Sequence, residues 1–195
     1  MSEPMPTLTT ARLVLRPFIT ADGETVERLA GMREIADTTL TIPHPYPVGG
    51  AAPWIAKHAE AWEAGTGLSL ALAPHDSPSE IVGAISLAVT RQHARAELGY
   101  WVAADRWSRG YATEAGQRMI EYAFDAMTMN KVEARHFTRN PASGRVMQKL
   151  GMSLEGVHRQ AFLRWGRFED VAVYAILAAD WRRSLGRTSL DDTDR

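Results

Sequence analysis

The sequence predicts a mixed α+β domain, a central sheet of about seven strands with helices on its faces. Two observations carry this. Three strand-like runs, Leu68 to Ala73, Ile81 to Thr90 and Arg95 to Val102, follow one another across short polar turns, as sequential sheet neighbours do. After Val102 the pattern alternates: a helical stripe from Ala112 to about Met127, a strand from Lys131 to Phe137, a helix from Asn140, then two more strands. Strands first and alternation afterwards give a mixed sheet that buries its faces under helices.

The elements follow in order. Arg12-Leu13-Val14-Leu15-Arg16 alternates polar and apolar residues and is closed by Pro17, which reads as the first strand. Asp22 is an N-cap candidate for a helix to about Leu29, with Val26, Leu29 and Ala30 as its apolar stripe. Three prolines within Thr41 to Gly50 exclude regular helix or central strand there. A helix should start near Pro53 and stop before Gly65. Past the three early strands, the helix from Ala112 buries Ala115, Met119, Ile120, Ala123, Phe124 and Met127. Asn140 as cap and Pro141 at the first position open the next helix, which Gly151 ends. Strands at about Ser153 to Arg159 and Asp170 to Leu177 flank a turn at Trp165-Gly166-Arg167. Residues 1–183 read as a single domain; residues 184–195, polar and rich in aspartate, read as a disordered tail.

Composition narrows the function. A chain of 195 residues with 45% hydrophobic and 23% charged residues fits one soluble globular domain. Lysine and arginine number 22 against 23 acids, so no net field favours nucleic acid or an anionic membrane. The absence of cysteine removes disulfides, thiolate metal sites and a cysteine nucleophile, and suits a reducing cytoplasm. Met1-Ser2-Glu3-Pro4-Met5-Pro6 lacks the basic and apolar pattern of a signal peptide, and Ala172 to Ala179 is far too short to span a bilayer. The six histidines show no i, i+4 pair and no carboxylate at ligand spacing, so no metal is expected.

The most informative stretch is Trp107-Ser108-Arg109-Gly110-Tyr111-Ala112-Thr113-Glu114-Ala115, directly after the strand Glu97 to Val102. A strand that turns straight into a helix leaves the first helical N–H groups without intrahelical partners. The helix dipole adds partial positive charge at the same point, so the turn suits a phosphate or pyrophosphate. Gly110 and Ala112 keep side chains clear of such a ligand. An ordinary strand–helix connection containing a glycine has the same local pattern.

Leu98-Gly99-Tyr100-Trp101-Val102, the turn Trp107-x-x-Gly110-x-Ala112-Thr113-Glu114-Ala115, Asn140-Pro141-Ala142-Ser143 and Lys149-Leu150-Gly151-Met152 together resemble the GNAT N-acetyltransferases, in their ribosomal-protein N-terminal (RimJ/RimL-type) branch. Leu13 to Pro17 and Ile42 to Pro47 fit the same branch, and the resemblance runs from about Leu8 to Trp181. It implies a twisted, mostly antiparallel sheet with helices on both faces and acetyl-CoA as co-substrate. It also implies an amine acceptor, a protein N-terminus or a small amine, and allows a homodimer. Trp107 and Ser108 stand where the family usually has Gln or Arg and then Gly. By the resemblance, Trp107, Ser108, Arg109, Gly110, Tyr111, Ala112 and Thr113 bind the cofactor, with the amides of Arg109 to Thr113 on its pyrophosphate. The backbone of Tyr100, Trp101 and Val102 would pair with the pantetheine arm as an added strand, and Asn140 would hydrogen-bond it.

Amide formation needs a neutral amine, a stabilised oxyanion and a proton for the departing thiolate. The resemblance makes Ser143 the candidate donor to the thiolate, with Tyr111 as an alternative. Some relatives use a glutamate as base where Phe162 stands here, so that role does not carry over. Glu97 resembles the base of histone-acetylating relatives, and its alternative is a structural ion pair with Arg95 or Arg135. Tyr46, Trp54, Phe162 and Trp165 are candidates for the acceptor groove; Arg164 and Arg167 are candidates for orienting an acidic acceptor. A non-catalytic acyl-CoA-binding module is a third reading of the same turn.

Overall fold

The computed structural model describes residues 4–186. One sheet of eight strands runs in the order β1-β2-β3-β4-β5-β6-β8-β7. The strands are β1 (Leu8–Thr9), β2 (Leu13–Pro17), β3 (Gly67–Pro74), β4 (Gly83–Thr90), β5 (Arg95–Val102), β6 (Lys131–Phe137), β7 (Ser153–Arg164) and β8 (Arg167–Leu177). The helices are α1 (Gly23–Ala30), α2 (Arg33–Ala36), α3 (Ala51–Glu63), α4 (Tyr111–Asp125), α5 (Pro141–Lys149) and α6 (Ala178–Ser184). Every neighbouring pair is antiparallel except β5 with β6. The parallel pair is joined through α4, the long crossover that parallel strands need.

Strand alternation divides the core between the two faces. Leu70, Leu72, Ile85, Leu87 and Leu98 meet Met119, Ile120 and Phe124 of α4, Met147 of α5 and Trp181 of α6. The intervening Ala71, Ala84 and Trp101 point the other way and pack with Phe18, with Val26 and Leu29 of α1 and with Ile55 of α3. Small residues on that second face let α1 and α3 lie close to the sheet. Both faces are therefore covered, as expected.

The structure adds a two-residue β1 that makes the sheet eight-stranded, the four-residue α2 and the terminal α6. These lengths are too short, or in α6 too polar, to leave a clear periodic signal. The β7 strand continues to Arg164 rather than ending near Arg159, because a bulge between His158 and Phe162 absorbs the break in alternation. Gln160 sits there at φ +50° with its N–H on the Asp170 carboxylate at 2.7 Å. Asp22 does precede α1, but its carboxylate binds Arg16 and the Ile19 N–H instead of capping the helix. The helix expected from Pro53 begins at Ala51. Most of the tail expected to be disordered lies outside the described residues.

Candidate active site

The β5–β6 ladder runs from Arg95↔Lys131 to Leu98↔Ala134 and stops. Both strands continue past that point, β5 to Val102 and β6 to Phe137, so they part and leave a wedge open between them. A cleft of about 980 Å³ occupies the wedge and reaches the start of α4.

The alternating ladder decides which backbone groups face the wedge. Ala103 N–H bonds the Val82 carbonyl across β4 at 2.8 Å, and the β4–β5 register places Trp101 opposite Ala84. Residues two apart repeat that orientation, so the Trp101 backbone is turned toward β4 while those of Tyr100 and Val102 are turned toward the wedge. The Val102 carbonyl is already taken by the Trp107 indole N–H at 2.7 Å. Trp107 thereby ties the turn to the strand it leaves. The expectation of three backbone partners for the pantetheine reduces, in geometry, to Tyr100 and the Val102 N–H.

The turn is built from left-handed residues. Ser108 lies at φ +62° and Gly110 at φ +82°. A β-carbon at Gly110 would meet nothing nearer than the Arg12 guanidinium at 3.4 Å, so the glycine serves the backbone angle rather than a tight contact. The first intrahelical bond of α4 is Glu114 N–H to the Gly110 carbonyl, and no side chain caps the helix. The amides of Tyr111, Ala112 and Thr113 are therefore available at the positive end of a fifteen-residue helix. That uncapped start suits an anionic group such as a pyrophosphate. Glu114 faces away from the ligand side, accepting from the Thr10 hydroxyl (2.6 Å), the Arg12 N–H (2.8 Å) and the Arg12 side chain (2.7 Å). Burial pushes its carboxyl up, and these donors more than offset that, holding it below the usual value.

At the other wall, Asn140 caps α5 by accepting from the Ser143 N–H at 3.4 Å. Ser143 Oγ lies 2.7 Å from the Tyr100 hydroxyl, which is also 3.3 Å from the Ser143 carbonyl oxygen. Burial pushes the Tyr100 phenol up to about 12, although its bond to Ser143 acts the other way. His136 donates from Nδ1 to the Phe137 carbonyl at 2.8 Å, and its buried Nε2 has no partner among the described residues. A β-carbon at position 144 would come within 2.9 Å of that nitrogen, so Gly144 is what lets α5 lie against β6.

Glu97 lines the cleft and is bound to Arg135 at 2.5 Å, while Arg95 pairs with Glu133 at 3.6 Å. Tyr46, Trp54, Tyr100, Trp101, Val102, Trp107, Ser108, Gly110, Tyr111, Ala112, Thr113, Asn140 and Ser143 line the same cleft. Arg109, Phe162 and Trp165 do not. Arg109 turns its side chain back to the Asp105 carbonyl. Phe162 sits opposite Glu169 on the β7–β8 hairpin, and the Trp165 ring stacks under Arg164 at 4.4 Å. Arg164 donates to the carbonyls of Ala36, Leu40 and Ile42, and Arg167 pairs with Glu169, so neither guanidinium is left simply in solvent. Sequence reasoning missed three contributors: the Tyr100 phenol, His136 and the wall formed by residues 38–43. Only the proline cluster after Thr41 hinted at that wall, by marking a segment that leaves the sheet.

Among the described residues no group of His, Cys, Asp and Glu is arranged to hold a metal ion, and no helix is long and apolar enough to cross a membrane.

Residues 12–153 match the model of the acetyltransferase (GNAT) domain. The uncharacterized N-acetyltransferase YoaA of Bacillus subtilis is 30% identical over 173 residues, covering 88% of this chain and 97% of its own. The crystal structure of a probable acetyltransferase superposes with a TM-score of 0.81 at 23% identity, covering 90% of this chain and 98% of that one. The ribosomal-protein-S5-alanine acetyltransferase of Vibrio fischeri does so with a TM-score of 0.79 at 17% identity, covering 90% and 98%.

Proposed function

The chain belongs to the GNAT acetyltransferase family and is an acetyl-CoA-dependent N-acetyltransferase; from that premise we propose that its acceptor is the N-terminal α-amine of a protein, of the RimJ/RimL type. The parted β5–β6 wedge beside the uncapped start of α4 supports the acyl-donor half of this reading. It offers a strand-like edge for an extended arm and amides for a pyrophosphate at its end. The likeness in fold to a ribosomal-protein acetyltransferase supports the branch.

Acetyl-CoA supplies the thioester carbonyl that the amine attacks and the thiolate that leaves. The new C–N bond forms as the C–S bond breaks; the amine gives up one proton and the sulfur takes one. In this reading the amides of Tyr111, Ala112 and Thr113 anchor the pyrophosphate, and the backbone of Tyr100 and Val102 aligns the arm. Asn140 and Ser143 meet it from α5, and the Ser143 hydroxyl donates to the sulfur.

The chemistry of the acceptor favours an α-amine. Its pKa of about 7.7–8.0 leaves a usable neutral fraction at pH 7, whereas lysine at about 10.4 needs about 3.4 kcal/mol more to reach the same state. Glu97, its carboxylate held by Arg135 at 2.5 Å, takes the late proton, lost from a nitrogen made strongly acidic by attack. That assignment leaves the acceptor to supply its own neutral fraction, as an α-amine can.

The test is thiol release from acetyl-CoA with two peptides of one sequence. One has a free N-terminus and a blocked lysine; the other has a blocked N-terminus and a free lysine. Turnover confined to the first is expected. Equal or greater turnover on the second overturns the α-amine assignment.

A further inference from the structure

The end of the cleft away from the phosphate turn runs between the sheet and the segment that joins α1, α2 and α3. Its walls are Val26, Ala30, Ile35, Ile42, Tyr46 and Trp54. Across the wedge the charged side chains lining the cleft are Arg106, Arg135, Arg145 and Lys149, against a single carboxylate, Glu97, among the described residues.

Three carboxylates around this end are already occupied by arginines of the chain itself, and Glu27, near Tyr46 but outside the cleft lining, accepts the Ala51 N–H. Glu97 carries Arg135 at 2.5 Å. Asp37, which follows α2, accepts from Arg139 at 2.8 and 3.2 Å. Glu169, only 5% exposed, accepts from Arg139 at 2.9 Å and Arg167 at 2.7 Å. An acceptor with a second ammonium group would shed its water against apolar walls and find no carboxylate to receive it. An acceptor whose amine sits beside an uncharged aliphatic or aromatic group would instead place that group against Ile35, Ile42, Tyr46 and Trp54 and gain by its burial.

We propose that this pocket selects a monoamine whose amine-bearing carbon carries an apolar side group, and that it rejects polyamines and other polycations. The proposal rests on reading the cleft as the site of acetyl transfer. For a protein acceptor it names a large apolar first residue, one long enough to reach Ile35, Ile42, Tyr46 and Trp54.

Matched acceptors test it through kcat/KM for thiol release. The set is four peptides differing only in a first residue of Leu, Phe, Ala or Lys, with side-chain amines blocked elsewhere, together with isoamylamine and spermidine. Leu and Phe peptides are expected to exceed the Ala and Lys peptides by at least about tenfold, the scale on which apolar pockets discriminate. Isoamylamine is expected to exceed spermidine by a similar factor. Equal rates across the peptides overturn the proposal while leaving Nα-acetylation standing. Turnover of isoamylamine with none of the peptides does the reverse. Spermidine as the best acceptor overturns both. Ile42→Glu, a change in a half-exposed loop, places a free carboxylate on the wall and should raise the spermidine-to-isoamylamine ratio at least about tenfold. A ratio unchanged in a variant whose melting temperature matches the parent overturns the wall as the selecting element.

Discussion

Tyr100 shows how much can depend on one hydroxyl. Its oxygen lies 2.7 Å from Ser143 Oγ and 3.3 Å from the Ser143 carbonyl oxygen, so the phenol proton has two acceptors on one residue. With its pKa pushed up to about 12, the phenol stays protonated throughout the working range and is a positioning group rather than a proton source. In the proposed reaction, in which Ser143 donates to the leaving sulfur, Tyr100 can turn its own proton toward Ser143 Oγ and stabilise that oxygen. Tyr100→Phe keeps the ring and removes that bond. It should lower kcat about five- to tenfold, the worth of one hydrogen bond of about 1–1.5 kcal/mol, and leave KM for acetyl-CoA within about twofold. In a Ser143→Ala background the same change should do almost nothing, because the group it serves is gone. An undiminished effect in that background would show that Tyr100 acts on the reaction by another route. Ser143 was legible as a motif residue; its partner was not, because a bond across 43 positions leaves no local pattern.

At the scale of elements, the proposed acceptor wall is held from outside. The hairpin turn between β7 and β8 places Trp165 at φ +47° and Gly166 at φ +78°, the two left-handed residues of a tight two-residue turn. That turn presents Arg164 to three carbonyls at the end of α2 and in the segment after it, those of Ala36, Leu40 and Ile42. Arg139, just before α5, holds the same segment through Asp37. A stretch of threonines and prolines without regular structure thus acquires a fixed shape from two guanidiniums. Arg164→Met keeps the aliphatic stem and removes a donor from three carbonyls, of which that of Ala36 keeps only its 3.4 Å contacts with Thr39. It should cost about 1–3 kcal/mol in denaturant unfolding. It should also raise KM for the acceptor several-fold, with KM for acetyl-CoA within about twofold, because the phosphate turn is built from other elements. An equal rise in both constants would show that the segment supports the whole cleft. The contrast also explains what sequence could reveal. The strand, turn and helix from Glu97 to Asp125 are contiguous, so their periodicity and glycine spacing expose them. The acceptor wall is assembled from α1, the 38–43 segment and α3 and fixed by residues from far along the chain, and no window of sequence contains it.

At the scale of the molecule, the two faces of the sheet differ in kind, and the difference predicts how the protein responds to acid. The α4 face was readable because Leu, Ile, Met and Phe alternate or recur at the spacing of their elements. The α1–α3 face was less so: the sheet offers it mainly Ala71, Ala84 and Trp101, and beyond the Val26, Leu29 and Ala30 stripe of α1 its aliphatic residues, Ile35, Ile55 and Ile81, are scattered over separate elements. His58 of α3 is only 7% exposed; its ring lies 4.3 Å from that of Trp54 and 5.3 Å from that of Phe18, and neither nitrogen has a partner among the described residues. Burial lowers its pKa to about 4 from an ordinary 6.5. Between those values the unfolded chain binds a proton that the folded chain refuses, so stability falls as pH falls from about 6.5 to about 4. The full loss is on the order of 3 kcal/mol. Asp22 and Glu114, whose carboxyls are held low by arginine contacts, also lose stability in acid, but only as pH falls from their ordinary values near 4 and below. Among the described groups whose titration the fold shifts, His58 is the one whose range spans pH 6.5 to 5. His58→Leu fills a similar space without a titrating group or orphaned nitrogens. Its denaturant unfolding free energy should at least equal the parent's at pH 7 and change little down to pH 5, where the parent has lost about 2 kcal/mol. A variant that keeps the parent's slope would place the acid sensitivity elsewhere. A flattened slope would locate it beside Trp54, on the element that also supplies the acceptor wall, so that acid would loosen the acceptor end of the cleft before the phosphate turn.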